Sequence, residues 1–240
     1  MIRQLNKALA DEQVLEAEGS GSEYLEVMAE AARRFAEGDY RQAGMTLNYA
    51  IALEPDEPVA YYNLGVALTN TGRHGKAAES FLLAAARDLY GSAPWADSTA
   101  AAFNNLQMPE CDEVVKPSWW SDEALKTLSK AVVDAGVGSQ QGHQMRAKVL
   151  SGTCLPSCNA RSAAEIRLAA YHSERAAELV HAPIQKRMRE RFAAALLNQA
   201  AAMEAAEAEA EAVAKAEAEP DAMKTSSGTR RRTYRRRRRS

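Results

Sequence analysis

The chain is poor in anything that could cross-link or clamp it. Three cysteines, Cys111, Cys154 and Cys158, are an odd set and suggest no disulfide framework. Eight prolines and 13 glycines punctuate 240 residues, and aromatics are 6% of a chain that is 46% hydrophobic. That balance argues against a sandwich or barrel and for closely spaced, alanine-rich helices. No run approaches the roughly 18 consecutive apolar residues that would span a bilayer, and the first residues lack the apolar core of a secretory signal. The expectation is a protein of the cytoplasm or nucleus with no membrane partner.

Recognisable chemistry is equally scarce. The sequence holds no glycine-rich phosphate loop, no nucleophile elbow and no paired carboxylates in an apolar setting. His74, His143, His172 and His181 have no carboxylate or cysteine at the spacing of a metal or catalytic motif. Cys154 and Cys158, four apart, could hold a metal only with two further ligands. His143 and Cys111 are conceivable, but Pro156 and a loop setting weigh against the set. No enzymatic activity, cofactor or metal is expected.

What is present is a charge asymmetry and a repeat. Residues 221–240 hold Lys224 and eight arginines against Asp221, a balance of +8, so within the total of -2 the first 220 residues carry -10. An acidic body with a basic tail is two electrostatic objects on one chain. The repeat shows in Gly38 and Gly72, Ala43 and Ala77, Leu47 and Phe81, and Ala50 and Ala84, each pair 34 residues apart. In the second copy Tyr61, Tyr62, Asn63, Leu64 and Gly65 precede Leu68, Gly72, Ala77, Phe81 and Ala84.

This pattern resembles the tetratricopeptide repeat over residues 25–89. The resemblance implies an all-α, right-handed superhelical array of helix hairpins. Gly65 and Ala77 would let two helix backbones approach while Leu64, Leu68 and Phe81 fill the space beside them. Gly72 would close the first helix in the left-handed conformation, and Asp39 could cap the second helix of the first copy.

Beyond residue 89 the period slips. A helix from about Trp95 to Leu106 is expected to start a third copy, then a surface loop over 107–118 with Pro109 and Pro117. The small-large-small spacing returns at Ala124, Leu128 and Ala131, 13 residues late. A fourth, degenerate copy runs from His143 through Ala147 and Leu150 to Ala169 and Ala176, with extra residues between Ser151 and Arg161. Ser162 and Glu165 form a capping box. From Pro183 a capping helix carries Ile184, Met188, Phe192 and Leu196 as one apolar stripe. The organisation expected is therefore an N-terminal segment (1–22), repeats (23–106), the inserted loop, degenerate helices (119–198), an Ala/Glu-rich helical extension (199–219) and a disordered basic tail (220–240).

Members of the family line a concave groove with the first helix of each repeat. The resemblance carries that role to Met28 and Phe35, to Tyr62, Asn63, Val66 and Asn70, and to Asp97 and Phe103. The family's chaperone-binding clamp for a terminal carboxylate is not expected. Asn63 matches one of its positions, but Met28, Ala32, Ala93 and Asp97 stand where the others should be, and Asp97 would repel a carboxylate.

The expected function is a non-catalytic scaffold that binds a peptide or helix of another protein. The alternative is a nucleic-acid-associated protein acting through Arg230, Arg231, Arg232, Tyr234, Arg235, Arg236, Arg237, Arg238 and Arg239. Those residues suit phosphate contacts, stacking of Tyr234 on a base, or an import receptor, and equally a solvated tail.

Overall fold

A computed structural model describes residues 17, 21–136, 138–155 and 158–227, with side chains up to residue 215. The basic run 230–239 lies outside the described residues. Among them the regular structure is all helical: α1 (Glu23–Glu37), α2 (Tyr40–Leu53), α3 (Pro58–Asn70), α4 (His74–Arg87), α5 (Ala93–Leu106), a 3-10 turn (Pro109–Cys111), α6 (Asp122–Ala135), α7 (Gln140–Ser151), α8 (Ala163–Glu178) and α9 (Pro183–Ser227). Each helix packs against the next in the chain, and α5 also meets α7 directly. This is the neighbour-by-neighbour packing of a helical repeat.

Local chemistry explains the boundaries. The Ser22 hydroxyl accepts from the Leu25 N–H at the head of α1, and Asp39 Oδ1 accepts from the Gln42 N–H at 3.0 Å at the head of α2. Both satisfy donors that a helix start leaves unpaired. Pro58 stands at the first position of α3, where no N–H is needed. Gly38 and Gly72 end α1 and the α3 turn at φ 82° and 72°, a region costly for any residue with a Cβ.

The 34-residue coincidences are the packing positions. Ala43, Leu47, Ala50, Ala77, Phe81 and Ala84 are all buried. At Gly65 the detail differs from expectation. A Cβ there would stand 2.7 Å from the Phe81 ring, so the glycine makes room for an aromatic ring and not for a second backbone.

The segment 107–118 is also more than a surface loop. Cys111 is fully buried, and the Lys116 ammonium donates to the carbonyls of Leu106 (2.8 Å) and Cys111 (2.7 Å) while lying over the Trp120 ring. Trp120 in turn packs 5.4 Å from Phe103. The insertion thus closes onto the core made by α5, α6 and α7, which holds Phe103, Leu125, Val132, Met145 and Val149.

The capping box forms as expected, Ser162 and Glu165 each accepting from the other's N–H. Along α9 only half of the expected stripe packs. Leu196, Ala193 and Ala200 join Ile166, Ala169 and Ala170 of α8, whereas Ile184 and Met188 are exposed. The α9 backbone continues through the Ala/Glu-rich segment to Ser227. Over residues 204–215 its side chains are exposed, as a helix with no apolar stripe must be.

Candidate functional site

The residues that could meet a ligand gather where α3, α5, α7 and the first turns of α9 surround an open trough of about 540 Å³. Its apolar floor includes Val66, Phe81, Ala101, Met108 and Met188, and its walls are amides: Asn70, Asn104, Gln140, Gln141, Gln144 and Gln185. The i, i+4 spacing of Gln140 and Gln144 puts both on one face of α7.

Several of these polar groups are already used by the fold. Asn105 donates to the Ala101 carbonyl, and its Oδ1 accepts from the Thr69 hydroxyl (3.0 Å) and meets His74 Nδ1 (2.9 Å), which ties α3, α4 and α5 together. Asn70 donates to the Val66 carbonyl. Others are not used. Asn104 Oδ1 and Arg189 Nη1 are buried atoms without a hydrogen-bond partner, although buried polar atoms are nearly always paired.

Arg189 is held in place from both ends. Its Nη2 donates to Gln144 Oε1 at 2.8 Å and its carbonyl accepts from the Ser173 hydroxyl at 2.9 Å. Burial pushes its pKa down. Lys148, one turn beyond Gln144, is lowered too, by burial and, more weakly, by the Arg189 charge. Among the described residues neither cation has a carboxylate partner within ion-pair distance.

At the other end of α3 and α5 lies a smaller notch of about 290 Å³, lined by Pro58, Val59, Tyr62, Asp88, Asp97 and Ser98 among others. Burial raises the Asp88 carboxyl, partly offset by the Ser98 hydroxyl, and raises the Tyr62 phenol with help from Asp97. Asp97 Oδ1 accepts from the Ser139 hydroxyl at 2.5 Å.

Of the residues expected to line a groove, Val66 and Asn70 line the trough, and Tyr62 and Asp97 line the notch. Asn63 is half-buried on α3 and lines neither. Phe103 is fully buried against Trp120 and has no surface to offer, because the insertion covers it. Met28 and Phe35 pack onto the core of Ala31, Leu47, Leu64 and Ala67. Sequence reasoning missed Asn104, Gln144 and Arg189. The signal for them was a run of glutamines on one face of α7 and an arginine directly after Met188.

A third concavity, about 570 Å³ between α2 and α3, is lined by Tyr40, Met45, Asn48 and Leu68 among others. It holds no unpaired buried polar atom among the described residues. The buried histidines form a pair of their own, His143 Nδ1 to His172 Nδ1 at 2.8 Å. Among the described residues no three His, Cys, Asp or Glu side chains gather as metal ligands would. No protein-family model matches the chain, and neither does any curated protein.

Proposed function

We propose that this chain is a non-catalytic scaffold that binds an extended peptide of a partner protein in the trough between α3, α5, α7 and α9. The helix hairpins would belong to a tetratricopeptide-like superhelix with its inner face along these first helices. The observation that carries the reading is the pair of buried, unpartnered atoms, Asn104 Oδ1 and Arg189 Nη1, in one open trough with an apolar floor. An acceptor and a donor left unpaired in the free protein suit the N–H and C=O groups of an incoming chain. Each such bond formed on binding contributes on the order of 1 kcal/mol.

Affinity capture from the source cells tests this, with the full chain, an Asn104→Ala/Met188→Glu variant and a chain ending at Glu219, each with and without nuclease. The expected result is a partner kept by the truncated chain, insensitive to nuclease, and lost with the trough variant. Loss only on removing the arginine run, abolished by nuclease, would instead support nucleic-acid binding through the tail.

A further inference from the structure

The trough and the notch are two ends of one surface. Both lie between α3 and α5: the notch against the first turns of each helix, with Tyr62 and Asp97, and the trough against their last turns, with Asn70 and Asn104. Their unpaired charges are opposite. Asp88 and Asp97 are partnered by serine hydroxyls and by no cation among the described residues. Arg189 is partnered by an amide and by no carboxylate. A protein surface normally lets such groups find a counter-charge or full hydration. Here Asp88, Arg189 and Lys148 are partly desolvated, so a counter-charge is worth more to them than to exposed groups.

From these observations, and resting on the peptide-binding reading above, we propose that the preferred ligand is a dipolar extended peptide. A basic side chain seats in the notch at Asp88 and Asp97, and an acidic side chain seats on Arg189 in the trough. The spacing follows from the helices. Tyr62 and Asn70 are eight residues apart on α3, about 12 Å at about 1.5 Å per residue. An extended strand covers that distance in about four residues at roughly 3.3 Å each. The two charges therefore stand four positions apart, with a central apolar residue over Val66 and Ala101. Tyr62 and Val59 line the notch beside the aliphatic stem of the basic side chain, and Gln144 holds the Arg189 guanidinium in place. Nothing in this arrangement favours a highly charged polymer of one sign, since each end repels what the other attracts.

The probes are blocked pentapeptides titrated by fluorescence anisotropy: acetyl-Lys-Ala-Leu-Ala-Glu-amide, the same peptide with Gln for Glu, with Gln for Lys, and with Gln for both. The wild-type chain should bind the dipolar peptide about tenfold more tightly than either singly charged one, the factor expected of one partly desolvated pair. Arg189→Gln should make the Glu and Gln versions equal while preserving the preference for Lys. Asp88→Asn with Asp97→Asn should do the converse. Arg189→Glu should prefer a peptide with Lys at both ends, an inversion that loss of folding does not produce. Circular dichroism of each variant checks the fold, and the Asn and Gln variants carry the test if Arg189→Glu fails it. Equal binding of all four peptides by the wild type would overturn the charge assignment and leave the peptide groove standing. No saturable binding of any would overturn both.

Discussion

The two halves of the molecule reach stability by different means. From α1 to α5 the helices interlock through small residues and single large ones. Ala43, Ala50, Ala77 and Ala84 are fully buried, and Gly65 cedes its side-chain volume to Phe81. From α6 to α9 the same kind of packing is supplemented by polar locks. Arg161 grips Asp122 through both guanidinium nitrogens, one at 2.8 Å, and also donates to the Val149 carbonyl at 2.9 Å. Arg146 ties α7 to the Lys126 carbonyl and the Ser129 hydroxyl of α6, and His143 meets His172 between α7 and α8. Where spacing is regular, apolar shape fixes the register. Where 13 and 11 extra residues break the period, directional bonds fix it.

The comparison breaks most visibly at Asp122. Its side chain is 12% exposed and that of Arg161 5%, so Asp122→Ala leaves a buried cation unpaired and should cost about 3 kcal/mol, read as a lowered urea midpoint. An unchanged midpoint would mean that the second half holds by apolar packing alone.

Gly65→Leu is the matching test in the first half. It forces a side chain into the Phe81 ring and should cost about 2 kcal/mol, whereas Gly65→Leu with Phe81→Ala should recover part of the loss. Failure of the second change to compensate would place the strain elsewhere.

The histidine pair gives the second half a pH dependence that the first lacks. Burial, then the neighbouring charges of His143 and Arg146, push His172 from 6.5 down to about 4. The unfolded chain therefore takes up the proton first as pH falls. Stability is full above pH 6.5 and declines between pH 6.5 and about 4, by at most about 1.4 kcal/mol per unit and on the order of 2 kcal/mol in all. Unfolding at several pH values should show that slope, and His172→Phe should flatten it. A slope unchanged by the substitution would assign it to carboxylates.

The smallest effect is expected at the trough. Asn70→Ala removes an exposed side chain whose bond is to its own helix, so stability should stay within about 0.5 kcal/mol of the parent. A larger loss would make Asn70 a structural residue.

Legibility in the sequence follows the same division. The hairpins up to α5, the Gly72 turn and the Asp39 cap could be read because each depends on residues close in sequence and repeated at a fixed interval. Phe103 was misplaced because periodicity finds the apolar face of a helix but not what covers it, and Trp120 comes from an insertion without periodicity. Ile184 and Met188 looked like core for the same reason: a stripe at four-residue steps does not say where the neighbouring helix ends. Arg189 was invisible as a site residue because its significance is an absence of partners, which only the packed chain defines.

The central claim is that a peptide lies along α3, α5, α7 and α9. The most direct measurement is nuclear magnetic resonance mapping of the blocked Lys-Ala-Leu-Ala-Glu peptide on the isotopically labelled chain, following backbone amides and the side-chain signals of asparagine, glutamine and arginine. The account predicts shifts at Asn70, Asn104, Gln144 and Arg189, with Asp97 perturbed at the far end and Met45 and Asn48 of α2 unmoved. Saturable shifts at Met45 and Asn48 with the trough silent would contradict it.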